Sequence, residues 1–152
     1  MISRWINRRD SRLCQCSDVI LLMRSLLRQL TSDMDAVDGL SLQKLNAMIF
    51  DGRAHIATIW TDDCKTLVGM GMLTIRQHVL RKVAHIDDVV VDEAYRGRGF
   101  GKEIVKALID QARVEGANHI ELSTRSHRVV ALGLYKSLGF QESETRSLCL
   151  HL

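Results

Sequence analysis

Behind Asp18, apolar residues recur at three- and four-residue steps: Val19, Leu22, Met23, Leu26, Leu27 and Leu30 fall on one face of a helix that Asp18 would cap. A second helical pattern starts at Ser41, with Leu42, Leu45, Ile49 and Phe50 as its apolar face. The pattern then shortens to β-rich runs, His55 to Trp60, Thr66 to Gln77 and Lys82 to Val91, separated by polar breaks such as Thr61-Asp62-Asp63. These predict an antiparallel meander. A helical stripe returns from Lys102, carried by Ile104, Val105, Leu108, Ile109 and Ala112 and closed by Gly116 as the residue after the cap. His119 to Ser123 reads as a short strand. Val130, Leu134 and Leu138 line a last helix ended by Gly139, and a final strand is expected from Phe140 towards Cys149. Ser3 to Leu13 is a further strand candidate of poor period. Strand, helix and strand in that order predict a right-handed parallel crossover, so the fold class is α/β with a mixed sheet.

Composition narrows the class. The 152 residues suit one domain over 1–152, and 46% hydrophobic with 26% charged residues is a globular balance. A net charge of +3 with only 5% aromatic residues lacks the basic, stacking surface of a nucleic-acid binder. The one basic cluster, Arg4, Arg8, Arg9 and Arg12, reads as a solvated start to the chain. Cys14, Cys16, Cys64 and Cys149 have neither zinc-site spacing nor the density of a disulfide scaffold. The aliphatic run Val19 to Met23 is too short for a signal-peptide core or a membrane span. A reduced, cytoplasmic chain without membrane or nucleic-acid partners is the expectation. The histidines show no H-E-x-x-H spacing, so no metal is expected, and no G-x-S-x-G elbow is present.

Candidate chemistry centres on Arg96-Gly97-Arg98-Gly99-Phe100-Gly101, between an apolar strand and an amphipathic stretch that begins at Lys102. Glycines let the backbone adopt positive φ and converge successive N–H groups on an anion at the positive end of the following helix. A Walker A loop needs four residues between its glycines and then Lys-Ser/Thr. Here three lie between Gly97 and Gly101, and Glu103 stands where the hydroxyl should be. A dinucleotide fingerprint fits Gly97, Gly99 and a later acidic residue, Glu121, but meets Lys102 in place of its third glycine. A third pattern, R/Q-x-x-G-x-G/A, is met in full by Arg96, Gly99 and Gly101. It resembles the acyl-CoA loop of the GNAT N-acetyltransferase superfamily. A second, distant stretch, Ala131 to Phe140, resembles that family's A-x-x-L-Y-x-x-x-G-F signature. Around Ile86 to Lys102 the chain is also similar to glucosamine-6-phosphate N-acetyltransferases. The likeness runs from about Leu67 to the C-terminus.

The resemblance implies a single-domain fold with a mixed sheet of about six or seven strands flanked by about four helices. It implies acetyl-CoA as co-substrate, its diphosphate on the amides of Arg96, Gly97, Arg98, Gly99, Phe100 and Gly101, with Lys102 also a cofactor-binding residue, and its pantetheine arm along Val89, Val90 and Val91. Tyr135, at the tyrosine of the signature, would protonate the departing thiolate. His85 lies eleven residues before Arg96, where several members carry a glutamate base, so His85 or Asp87 is the candidate base or amine anchor. Plain strand alternation would place His85, Asp87, Val89 and Val91 on one face and Ile86, Asp88 and Val90 on the other. Arg128 stands where many members have an asparagine, which leaves a coenzyme phosphate or a substrate carboxylate as the partner of its guanidinium. The implied reaction is acetylation of a primary amine, a small molecule or amino sugar before a protein lysine or N-terminus. A non-catalytic acyl-CoA sensor is the alternative from another class, and homodimers built through the last strands are common in the family.

Overall fold

The computed structural model describes residues 1–6, 17–144 and 148–150. Five strands form one sheet in chain order: β1 (Ile2–Ile6), β2 (Ala54–Trp60), β3 (Leu67–Gln77), β4 (Lys82–Val91) and β5 (His119–Leu122). The first four pair antiparallel. β4 and β5 pair in parallel, and α4 (Phe100–Val114) connects them, since parallel neighbours cannot be joined by a hairpin. On one face lie α1 (Ser17–Leu27) and α3 (Leu42–Phe50), packed around Ile56, Trp60, Met70 and Val90. The other face is covered by α4, whose Ile104, Val105 and Leu108 are fully buried against Val68, Leu73, Ala84 and Ile86.

The apolar stripes predict these helices closely. Val19, Met23 and Leu26 of α1 and Leu45 and Ile49 of α3 are buried, although Phe50 is 75% exposed. Ser41 caps α3, its hydroxyl accepting from the N–H of Lys44 at 3.2 Å. Asp18 lies within the first turn of α1 rather than at its cap, and α4 begins at Phe100 rather than Lys102. The last helix, α5 (Val129–Ser137), packs through Leu134 and Leu138, whereas Val130 is 88% exposed at its start.

Two expectations are corrected and a third is tested only in part. The sheet has five strands rather than six or seven: among the described residues nothing after Phe140 is a strand, because Gln141 to Glu144 is polar and exposed and offers the edge of the sheet no apolar face. Among the described residues there are five helices rather than about four; the additional one, α2 (Met34–Asp38), is too short to show a period and is held by Asp33 capping the N–H of Ala36. The first strand spans Ile2–Ile6, and the rest of the stretch to Leu13 lies outside the described residues, as do Arg8, Arg9, Arg12, Cys14 and Cys16.

Candidate active site

The cleft begins where a parallel pair comes apart. β4 and β5 are in register from Val83↔His119 to Ile86↔Leu122 and no further. Next on β4 is a β-bulge: Met70 faces Val90 and Met72 faces Asp87, so β4 carries one residue more than β3 over this stretch. The extra residue is Asp88, at φ 52°, a left-handed conformation that aspartate tolerates better than most side chains. Beyond it the strand runs on as Val89-Val90-Val91 with its β5-side edge unpaired. β5 meanwhile leaves the sheet at Ser123. The cleft that results has a volume of about 1070 Å³, bounded by this edge, the end of α1 and the residues after it, the loop leading into α4, and the segment from Ser123 into α5.

The bulge corrects the expected alternation. It shifts the phase by one residue, so Ile86, Val89 and Val91 all pack with the α4 side, Val90 packs with the α1 side, and Asp87 no longer shares a face with Val89. Gly71 lies opposite this irregularity. A Cβ there would stand 2.8 Å from Ile104 Cγ2, so glycine is what lets α4 settle onto the sheet at this point.

At one end of the cleft is the glycine loop. A short 3₁₀ turn, Glu93–Tyr95, is capped by Asp92, and Gln29 buttresses it: the Gln29 carbonyl oxygen accepts from the N–H of Glu93 at 3.0 Å while its amide donates to Asp92 at 2.9 Å. Gly97 and Gly99 have φ of 75° and 86°, and open space where a Cβ would project. Glu103 is the first residue whose N–H bonds back into the turn, to the carbonyl of Gly99. The N–H groups of residues 97–102 have no protein acceptor among the described residues, which leaves a run of orphan donors at a helix N-terminus. The arginines serve the loop itself. Arg96 Nε donates to the carbonyl of Val91 at 3.0 Å, and the Arg98 guanidinium lies 5.3 Å from the centre of the Tyr95 ring. The donor set offered to an anion is therefore backbone, with Lys102 exposed beside it.

Tyr135, 9% exposed on α5, also lines the cleft. Burial raises its hydroxyl above the ordinary tyrosine value, partly offset by the positive charge of Arg128. Its position is set by the way α5 stops. The N–H of Gly139 bonds to the carbonyl of Lys136, and the N–H of Phe140 to that of Tyr135, the two bonds of a Schellman closure. Gly139 takes the required left-handed turn at φ 92°. The Phe140 ring then returns edge-on to Tyr135, centroids 5.9 Å apart. The spacing Tyr-x-x-x-Gly-Phe is thus a helix stop that pins the tyrosine ring.

Asp87 and Asp88 also line the cleft. Behind Asp87 stands His85, its Nε2 3.2 Å from Asp87 Oδ1 and its Nδ1 3.2 Å from an Arg76 nitrogen. A guanidinium only donates, so Nδ1 accepts and Nε2–H donates to Asp87. Arg76 also pairs with Glu121, itself paired with His119. Asp88 has no such partner: desolvation raises its carboxyl above the usual range, and the adjacent Asp87 charge adds to the rise.

Of the residues singled out from sequence, the cleft brings together Asp87, Val89 to Val91, Arg96, Gly97, Gly99 to Lys102, Arg128 and Tyr135. His85 and Arg98 are not on its surface; His85 reaches it only through Asp87. Sequence reasoning missed Gln29 and the exposed Arg125 and His127. Gln29 acts on residues more than sixty positions away and carries no local signal, whereas the basic cluster in Arg125-Ser126-His127-Arg128 is visible in the chain. Among the described residues no group of three or more potential metal ligands assembles, and no helix is long and apolar enough to cross a membrane.

A mixed sheet whose parallel pair parts beside a glycine loop of free amides is the arrangement expected from the resemblance to acetyltransferases. Residues 22–140 match the Acetyltransferase (GNAT) family, and the chain belongs to it. It is 26% identical over 140 residues to glucosamine 6-phosphate N-acetyltransferase 1 of Oryza sativa subsp. japonica, covering 89% of this chain and 82% of that one. It is 34% identical over 77 residues to the ribosomal protein bS18 alanine N-acetyltransferase of Escherichia coli, about half of each chain. A solved acetyltransferase of Trypanosoma brucei superposes over 99% of both chains with a TM-score of 0.77 at 27% identity. Membership retires the dinucleotide reading, and the Glu121 that it needed for a ribose is committed to Arg76 and His119.

Proposed function

We propose that the protein transfers the acetyl group of acetyl-CoA to the primary amine of a small molecule, an amino sugar before other amines, by direct attack within a ternary complex. The observation that carries this reading is the cleft itself, lined at once by unpaired amides, a buried phenol and two carboxylates. The amides of residues 97–102 suit the coenzyme diphosphate. The free edge of Val89 to Val91 can pair with the pantetheine arm through main-chain groups, and a main-chain N–H there can polarise the thioester carbonyl.

An amine of pKa about 10 is mostly protonated at neutral pH. Asp87 is oriented by His85 to receive the ammonium and remove one proton before attack, which frees the nitrogen lone pair, and the Nε2–H of His85 holds that carboxylate in place. Attack gives a tetrahedral intermediate, and its collapse breaks the carbon–sulfur bond. Tyr135 then donates its proton to the sulfur, a task for which a phenol held in its neutral form by burial is suited, and the second proton of the attacking nitrogen passes to the phenolate so formed, which restores Tyr135. An amino-sugar acceptor is favoured because the rice relative, named for such a substrate, is matched over most of its length.

Tyr135→Phe keeps the ring packing on Phe140 and removes only the hydroxyl. Steady-state kinetics should show kcat falling by about 100-fold with the KM for acetyl-CoA nearly unchanged. Unaltered turnover would retire Tyr135 as the acid.

A further inference from the structure

We propose that the acceptor carries an anionic group, a phosphate or a carboxylate, on the same small molecule as its amine, and that Arg128, with Arg125 beside it, is the specificity-determining contact for that group. The inference rests on the acetyl-transfer reading above and adds a substrate class to it.

Charge in the cleft is divided between its walls. Asp87 and Asp88 lie on the β4 side, while Arg125, His127 and Arg128 lie on the segment between β5 and α5. No carboxylate pairs with Arg125 or Arg128 among the described residues. The single hydrogen bond of the Arg128 guanidinium runs across the cleft to a neutral group, the carbonyl of Leu30, at 2.5 Å. One bond to a carbonyl leaves most of the five donors of a guanidinium unused, in a fork that matches phosphate or carboxylate.

This cation belongs to a different segment from the amides that suit the coenzyme diphosphate. The unpaired amides for a diphosphate belong to residues 97–102, at the start of α4. Arg128 instead bridges to the residues that follow α1 and is close enough for its charge to act on the Tyr135 hydroxyl. It therefore stands within electrostatic reach of the phenol proposed to protonate the departing thiol. An acceptor with an ammonium towards Asp87 and an anion towards Arg128 satisfies both walls at once, whereas a neutral amine leaves the guanidinium on a lone carbonyl.

The test measures thiol release from acetyl-CoA with two matched pairs of acceptors: glucosamine 6-phosphate against glucosamine, and an α-amino acid against its α-amide. Wild type should prefer the anionic member of at least one pair by about 10-fold or more in kcat/KM, the range of a hydrogen-bonded charge. Arg128→Gln should bring that ratio close to one, and Arg128→Lys, which keeps the charge without the fork, should retain part of it. Thermal melts of both variants confirm that they are folded. Turnover of the neutral amines without preference in either pair overturns this inference alone. So does a ratio that survives Arg128→Gln, or a variant whose defect is confined to the KM for acetyl-CoA, which would assign Arg128 to the coenzyme phosphate. No thiol release with any of the four amines overturns the inference together with the acetyl-transfer reading.

Discussion

Asp88 combines a left-handed backbone with a carboxyl whose charged form the cleft disfavours. Its raised pKa means that the folded chain holds this proton to higher pH than the unfolded chain does. Stability contributed through this group therefore falls as pH rises above the usual carboxylate range near 4. Asp88→Asn removes that penalty, so chemical denaturation should find the variant more stable than wild type at pH 7, with the gain shrinking as pH drops towards 3. The better tolerance of asparagine for positive φ does not depend on pH, so the pH-dependent part isolates the charge. A gain equal at both pH values would contradict the raised pKa. At this scale the sequence announces Tyr135 and Asp87 by their setting in motif and strand. It hides the phase of the strand that carries them, because Asp-Asp-Val-Val-Val has no polar marker on either side of the bulge.

Two element junctions make the site. One is the turn from β4 into α4, where amides that no protein group accepts face the cleft. Gly99, at φ 86° and ψ −5°, is the N-cap of α4, and a β-branched side chain there costs about 1–2 kcal/mol of strain and displaces the adjoining amides. Gly99→Val should lose measurable acetyl-CoA binding in calorimetry while its circular dichroism stays that of wild type; equal binding by the two proteins would remove the loop from the account. The other junction is the stop of α5. Both are legible as motifs because their spacing is backbone geometry: Tyr, Gly and Phe fall at the third-last helical position and at the two residues after the cap, where the Schellman closure needs them. The five-residue α2 is not legible, since one turn of helix has no period to read, and its cap Asp33 resembles any polar loop residue.

Over the whole molecule, the order of elements from α1 to α5, α2 apart, follows from the hydrophobic pattern, and so does the parallel pair, which a helix between two strands suggests. The parting of that pair does not follow. It depends on β5 ending at Leu122 and on the extra residue in β4, and neither changes the local run of apolar residues. Among the described residues the final strand expected after Phe140 does not form, for the opposite reason: a short-range reading extends the sheet, yet the polar stretch Gln141 to Glu144 has nothing to bury. The cleft thus arises from tertiary pairing, and the account stands on what fills it. A crystal structure of the protein with acetyl-CoA tests this most directly. It should show the diphosphate on the N–H groups of residues 97–102, the pantetheine arm along Val89 to Val91, and the thioester sulfur within hydrogen-bond reach of the Tyr135 hydroxyl. A coenzyme bound elsewhere, or a Tyr135 hydroxyl turned away from the sulfur, would contradict it.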